Sequence, residues 1–345
     1  MKDTRRSRMI RSLKELILTS PSGVSRGEAA SALGIDLRTA SGYLEDLTAE
    51  GLLRIEKAVS CNKGRPGKIY RSNADNLCFA GVRISSTLDV QTTVIDSLGR
   101  ELKKFSIQLP EDCSRLSSFN SILDQVKQCQ QLEGKMLFGI GLAISRWLQP
   151  PLAGEDVYAN LSEYLNRESG VAVYRDVIIN MEAFAQARML NCRNLALVHA
   201  GKVMEFGLIA DGVPDKDFAR RENWLSHICV NPDGRRCYCG KYGCLENYLT
   251  IGARKEILSS GKSAAAIRLL GERLGMAMVR LVRKFPVEAV VLLDGEDVFF
   301  PAEEYFSKHA PGNITFIRRS NLPSAHSAAA LVAAYFELYR YTGGK

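Results

Sequence analysis

The sequence predicts an α/β body preceded by a small basic helical unit, and three observations carry that prediction. Charge is unevenly spread: residues 1–72 hold 14 Lys/Arg against 8 Asp/Glu, while the rest hold 32 against 30, so a net +6 precedes a body of net +2. Within those 72 residues, three helical periodicities are followed by two short strand-like stretches. From Phe79 onward, apolar strand-like runs alternate with helical patterns, the signature of an α/β body. A chain of 345 residues with 46% hydrophobic and 24% charged residues has room for two or three globular domains. That composition excludes disorder, collagen and coiled coil as the overall class. No apolar run approaches the roughly 20 residues that span a bilayer. Leu16-Ile17-Leu18 is too short for a signal peptide. A cytoplasmic chain without a membrane partner is expected, its nine cysteines mostly free thiols or metal ligands.

The elements of the basic unit follow in order. Ile10, Leu13, Leu16 and Ile17 recur at helical spacing until Pro21-Ser22-Gly23 stops the helix. Ser25 and Glu28 form a capping box for a second helix with Ala29, Ala30 and Leu33 on its apolar face. Gly34-Ile35 makes a tight turn, and Asp36 caps a third helix that buries Ala40, Leu44 and Leu47 and ends near Gly51. Two helices joined by a short Gly-containing turn form a helix-turn-helix. Leu52 to Lys57 and Lys68 to Arg71 read as two strands around the loop Cys61-Asn62-Lys63-Gly64-Arg65-Pro66-Gly67, which completes a winged helix-turn-helix over 1–72.

A net positive unit of this shape points to nucleic acid. Arg38, Thr39, Ser41 and Tyr43 on the third helix would face the major groove, where Arg reads guanine and Ser or Thr contacts bases or phosphates. Arg65, with Lys63 close by in the same stiff loop, suits a narrow minor groove. The loop as a plain hairpin tip, and the winged helix as a protein-recruiting module, remain the alternatives.

In the body, Phe79–Ile84, Val90–Ile95, Leu102–Leu109 and Met136–Ile144 read as strands, with a helix near 117–131 before the last of them. A helix near 158–168 leads into Val171–Tyr174. Leu195–His199, Phe206–Ala210, Ala289–Leu293 and Ile314–Arg318 form a second set. No short-period repeat is visible.

The sharpest local signal is His227 with Cys237, Cys239 and Cys244. One imidazole and three thiolates make a closed tetrahedral zinc site with no position left for water, hence a structural zinc. Gly240 and Gly243 allow the tight turns that bring Cys244 back. Cys229 breaks the spacing and reads as a core thiol, and Cys61, Cys78, Cys113, Cys129 and Cys192 carry no pattern.

The segment His227 to Glu246, HICVNPDGRRCYCGKYGCLE, resembles the zinc signature of the ROK family of bacterial sugar kinases and sugar-responsive repressors. The helix-turn-helix followed by Gly64-Arg65-Pro66 resembles the repressor branch. The resemblance implies a two-lobed actin-like ATPase fold (sugar kinase-like, RNase H-like) behind the winged helix, and a dimer or tetramer. One lobe would span 77–178 with a C-terminal helix at 325–345, and the other, with the zinc site, 179–324.

The sequence departs from the kinase branch where chemistry is done. The first phosphate loop, Asp-x-Gly-Gly-Thr in the kinases, reads Arg83-Ile84-Ser85-Ser86-Thr87, and added side chains obstruct a cradle built from bare amides. In the second, Gly201 and Gly207 bracket filled positions Lys202 to Phe206, and the adenosine loop reads Leu293-Asp294-Gly295-Glu296. Val177 and Ile178 stand where the kinases carry Asn-Asp, and Ile178 cannot act as a general base. Asp176 and Glu182 are near in sequence but off that position. Trp224 replaces a sugar-binding Glu, leaving His227, Glu246 and Asn180 with Trp224 as candidate ligand-binding residues. The cleft then takes an apolar or stacking ligand, a different sugar derivative, or nothing. The expectation is a DNA-binding regulator, a repressor, with a kinase-dead body for dimerisation and sensing of a carbohydrate-related effector. It would bind an inverted-repeat operator in double-stranded DNA. An active ATP-dependent sugar kinase with an added DNA-binding domain is the rival.

Overall fold

The computed structural model describes residues 5–18, 20, 22–57, 67–73, 76–96, 99–146, 148, 152, 157–215, 225–259 and 263–319. The chain begins with α1 (Arg5–Leu18), β1 (Val24–Ser25), α2 (Arg26–Leu33), α3 (Leu37–Ala49), β2 (Leu53–Lys57) and β3 (Lys68–Ser72). The caps form as the sequence predicts. Ser25 Oγ accepts from the Glu28 amide at 3.2 Å while the Glu28 carboxylate accepts from the Ser25 amide at 2.7 Å. Gly34 ends α2 in the left-handed region, φ 62°, and Asp36 accepts from the Thr39 amide at 2.9 Å. A cap of this kind is worth about 1 kcal/mol. Ile10, Leu13, Ile17, Ala29, Ala30, Ala40, Leu44 and Leu47 are buried against one another. The three strands form one antiparallel sheet in the order β1-β3-β2, which completes a winged helix. The two-residue strand β1 has no periodicity to announce it, since its pairing with Ile69 and Tyr70 is entirely tertiary. The loop expected to carry Lys63 and Arg65 lies outside the described residues.

The body continues with β4 (Leu77–Ile84), β5 (Asp89–Asp96), β6 (Glu101–Gln108), α4 (Arg115–Gln130), β7 (Met136–Ile144), α5 (Val157–Ser169) and β8 (Ala172–Val177). Then come α6 (Ile178–Leu190), β9 (Leu195–Ala200), β10 (Met204–Ala210), β11 (Val213–Pro214), α7 (Glu246–Leu249), α8 (Ile251–Ser259), α9 (Ser263–Lys284), β12 (Ala289–Leu293), α10 (Phe299–His309) and β13 (Thr315–Arg319). These strands form two five-stranded sheets, β6-β5-β4-β7-β8 and β11-β10-β9-β12-β13. Counted from its own first strand, each sheet has the same order, third-second-first-fourth-fifth. The repeat is in the topology, which is why no sequence period reveals it. The expected C-terminal helix at 325–345 lies outside the described residues.

Two compact units result. Among the described residues, the first covers those up to Leu142 and from Leu148 to Arg175; the second covers Ala143–Arg146 and those from Asp176 to Arg319. In the first, the winged-helix core does not stop at the end of β3. It continues through buried Leu77, Phe79 and Ile95, with Phe138 and Tyr174 packed against it. Phe79 and Phe138 meet edge to face, centroids 6.3 Å apart at 81°. The core of the second unit is built around β9, β10, β12, α9 and α10, with Val198, Leu274, Val290 and Phe306 fully buried.

Candidate functional sites: a metal centre, two filled turns and a helix face

The metal-binding residues come together in the second unit. The ligand atoms of His227, Cys237, Cys239 and Cys244 all lie within 4.8 Å of one another. Cys239 Sγ and Cys244 Sγ are 3.6 Å apart, and Cys237 Sγ lies 3.5 Å from His227 Nδ1. A tetrahedral ion with bonds of about 2.3 Å to sulfur and 2.0–2.1 Å to nitrogen needs edges of about 3.7 and 3.5 Å. The donor set therefore fits a metal ion.

Local backbone makes this arrangement. The Cys237 amide donates to the Lys241 carbonyl at 2.7 Å and the Gly240 amide to the Cys237 carbonyl at 2.9 Å. Gly243 has φ 64°, and a Cβ there would collide with the Asn231 carbonyl. Only glycine fits. The ring of Tyr238 stands on the His227 imidazole at 5.0 Å and 78°. Burial, with the neighbouring cysteines, pushes the Cys244 thiol up to about 12, and burial also raises Cys237. The Lys241 amide lowers Cys239. Without a cation the buried pair stays protonated. Cys229, expected as a core thiol, is exposed. It pairs with Cys244 across an isolated antiparallel bridge and is not among the four residues whose ligand atoms converge.

Two of the candidate ligand-binding residues, Glu246 and Asn180, hydrogen-bond within the chain, though Asn180 Oδ1 is buried without a partner among the described residues. Glu246, 5% exposed, accepts from the Met204 amide at 3.3 Å through both oxygens. It braces the β9–β10 turn, 42 residues away in sequence. Burial pushes its carboxyl up to about 7, against the hydrogen bonds from Met204 and Ser226. Asn180 is fully buried and donates to Asp176 Oδ1 at 2.9 Å. Asp176 also accepts from the Val177 amide at 2.7 Å, so it orders the entry to α6. Trp224 lies outside the described residues.

The two turns to which the resemblance assigns phosphate binding have the chain's own polar side chains in or beside them. In the β4–β5 turn, Ser85 Oγ accepts from the Asp89 amide at 3.0 Å and shares a 3.0 Å hydrogen bond with Thr87 Oγ1. Arg83 faces the Asp89 carboxylate at 3.9 Å. Next to the β9–β10 turn, His199 lies 2.8 Å from Asp294 and 3.5 Å from Glu205. Burial lowers the imidazole's pKa, but the hydrogen bonds to Glu205 and Asp294 and the charge of Glu182 outweigh it and push it up to about 9. Three carboxylates around one imidazolium leave a net negative cluster. Arg254, 7% exposed, ties the surrounding loops by donating to the Ala200, Leu249 and Asp294 carbonyls at 3.1, 2.7 and 2.8 Å. Sequence reading missed this cluster because His199 and Asp294 are 95 residues apart.

On the winged helix, the expected reading face is redistributed. Arg38 is exposed at the start of α3. Thr39 Oγ1 gives its proton to Asp36 at 2.7 Å, so it serves the cap. Ser41 Oγ accepts from Arg26 at 3.4 Å. Tyr43, expected as exposed, is half-buried against the core beneath Arg6, whose guanidinium carbon is 5.9 Å from its ring. Leu37 was not anticipated. At the first position of α3 it is 60% exposed, because no turn of helix precedes it to bring the core around.

No protein-family model matches the chain. The kanosamine kinase of Amycolatopsis mediterranei is 34% identical over 67 residues, 19% of this chain and 22% of that protein. The DNA-binding transcriptional repressor Mlc of Escherichia coli is 24% identical over 230 residues, 62% of this chain and 55% of that protein. Both matches therefore span less than two thirds of the relative's length. Among solved structures, a ROK family transcriptional regulator, a homologue of E. coli Mlc, superposes with a TM-score of 0.77 at 16% identity, covering 97% of this chain and 96% of its own. The ROK hexokinase of Thermus thermophilus superposes at 0.60 and 18% identity, covering 74% of this chain and 97% of its own. The chain thus carries the ROK fold, and carries it over the length of the transcriptional regulator rather than of the kinase alone.

Proposed function

We propose that this protein is a DNA-binding transcriptional regulator, a repressor, whose ROK body does not phosphorylate sugar. The observation that carries the reading is the pairing of a winged helix with a body whose phosphate turns are filled. The Ser85–Thr87–Asp89 hydrogen bonds occupy the first turn, and a net negative cluster around His199 adjoins the second. A nucleotide polyphosphate would meet repulsion there, and Arg83 would repel the metal that phosphoryl transfer requires. Ile178 stands where the general base should be, a loss typically worth 10²–10⁴-fold in rate.

The His227–Cys237–Cys239–Cys244 group holds a structural zinc, which contributes folding energy to the knuckle when bound. The protein acts in the cytoplasm as a homodimer or tetramer, with two winged helices on an inverted repeat, and the body senses a carbohydrate-related effector. Arg38 on α3, with Lys63 and Arg65 of the wing, makes the DNA contacts, and the Ser41 hydroxyl, whose oxygen accepts from Arg26, keeps its proton to donate to a phosphate. The lobes run over 77–178 and 179–324, with the helix at 325–345 added to the first. A gel-shift titration with promoter DNA upstream of the protein's own gene and its neighbours tests the reading. Salt-sensitive, sequence-specific binding is expected, together with no turnover in a coupled ATP assay over hexoses and N-acetylated hexosamines. Sugar-dependent ATP consumption would overturn the kinase-dead assignment.

A further inference from the structure

The exposed face of α3 carries a second base-reading group. We propose that Leu37 packs on the 5-methyl group of a thymine in the major groove, beside the base contacted by Arg38. This rests on the DNA-binding reading above and names the specificity of that site. The first turn of α3 presents two large side chains to solvent, Leu37 at 60% exposure and Arg38. Its polar neighbours are committed. Asp36 holds the Thr39 amide and hydroxyl, and Ser41 accepts from Arg26. Among the described residues no ion pair engages Arg38. One turn on from Arg38, at Gly42, a Cβ would meet nothing within 4 Å. Packing within the fold therefore does not require glycine at this mid-helix position, where glycine costs about 1 kcal/mol relative to alanine. A bare backbone there lets an outside surface approach the helix, and brings its first turn closest to that surface.

The chemistry then selects the base. In the major groove, thymine alone offers a methyl group to an apolar side chain, while guanine offers N7 and O6 to a guanidinium. A leucine next to an arginine on the leading turn therefore reads a thymine neighbouring a guanine. Every other polar edge in the groove would lose its water to Leu37 without gaining a hydrogen bond.

The test uses the full-length protein and duplexes selected from a random-sequence library. Arg38→Ala identifies the guanine by the position at which base preference is lost. Replacing the adjoining thymine by deoxyuridine, which deletes only the methyl, should weaken wild-type binding about four-fold, the weight of one buried methyl. Leu37→Ala should bind thymine and uridine duplexes equally. Leu37→Met, which keeps an apolar contact, should retain the discrimination. Leu37 is exposed, so the variants should keep the wild-type melting temperature. Undiminished discrimination in Leu37→Ala, or selected sites with no thymine beside that guanine, would overturn the assignment while leaving DNA binding intact. Failure of the wild type to select any sequence would instead remove the DNA-binding reading, and this assignment with it.

Discussion

The two five-stranded sheets share one strand order but have been put to different uses. In the first, β6 passes to β7 through the single helix α4, and the outlet for function lies ahead of the sheet, where the winged helix shares its core. In the second, the connection from β11 to β12 runs from Pro214 to Ala289 and, among the described residues, carries the metal-binding group and three helices. The turn between the first two strands carries hydroxyls and an Arg–Asp pair in one, and in the other it is flanked by a charged histidine cluster. A repeated scaffold tolerates such divergence because strand order depends on burial of β-sheet faces, whereas turns and crossovers are exposed to few packing constraints.

The strongest way to break the comparison is to remove what only the second sheet has. Wild-type protein purified without added metal should contain about one zinc per chain by elemental analysis. Cys239→Ser should lose it and unfold the 227–245 segment, since structural zinc sites supply on the order of 10 kcal/mol of apparent binding energy. Full zinc content in that variant would remove Cys239 from the ligand set. Gly243→Ala attacks the same knuckle through backbone alone. The collision with Asn231 and the left-handed φ should cost on the order of 3 kcal/mol, read by chemical denaturation.

The first sheet is tested through its shared core. Phe79→Ala removes a fully buried ring that bridges winged helix and sheet, at a cost of about 3 kcal/mol. Because the core is continuous, winged-helix and β4–β5 amides should lose hydrogen-exchange protection together. Protection lost in only one of them would separate the two modules.

The charged turn of the second sheet predicts a pH effect. Folding raises the His199 pKa from its ordinary 6.5 to about 9. Its contribution is therefore complete below about pH 6.5 and is lost as pH rises through 9. Melting temperature should fall between pH 6.5 and 9.5, by a stability loss on the order of 1–2 kcal/mol after allowance for solvent screening. The fall should be smaller in His199→Gln. The smallest effect belongs to the α3 cap: Asp36→Ala should cost about 1 kcal/mol and weaken DNA binding by fraying the turn that carries Leu37 and Arg38. Unchanged stability would mean that Thr39 caps through another acceptor.

Local features were legible in advance because their causes are local. The capping box of Ser25 and Glu28, the cap at Asp36 and the left-handed Gly34 involve residues three apart or fewer. The metal group was legible too, since its three cysteines span eight residues and its glycines state the turn. Strands β7 and β12 appeared where their apolar runs predicted them, because both are buried. Tyr43, expected on the exposed face, is half-buried and Leu37 is exposed for one reason. Helical periodicity assigns a face, but only the neighbouring elements decide whether that face is covered at the helix's first turn or partly covered at its middle.

By itself the sequence determined the capped helices of the basic unit, the positions of most strands, the thiolate cluster and the erosion of the kinase motifs. Each of these depends on residue type and on spacing along a few turns of chain. Tertiary structure alone decided that the two sheets share one strand order and that the winged-helix core runs into β4. It also decided that Glu246 braces the Met204 amide and that His199 meets Glu205 and Asp294. Those outcomes join groups up to 95 residues apart, and contacts at that separation are selected by the packing of whole sheets and helices, which no local pattern encodes.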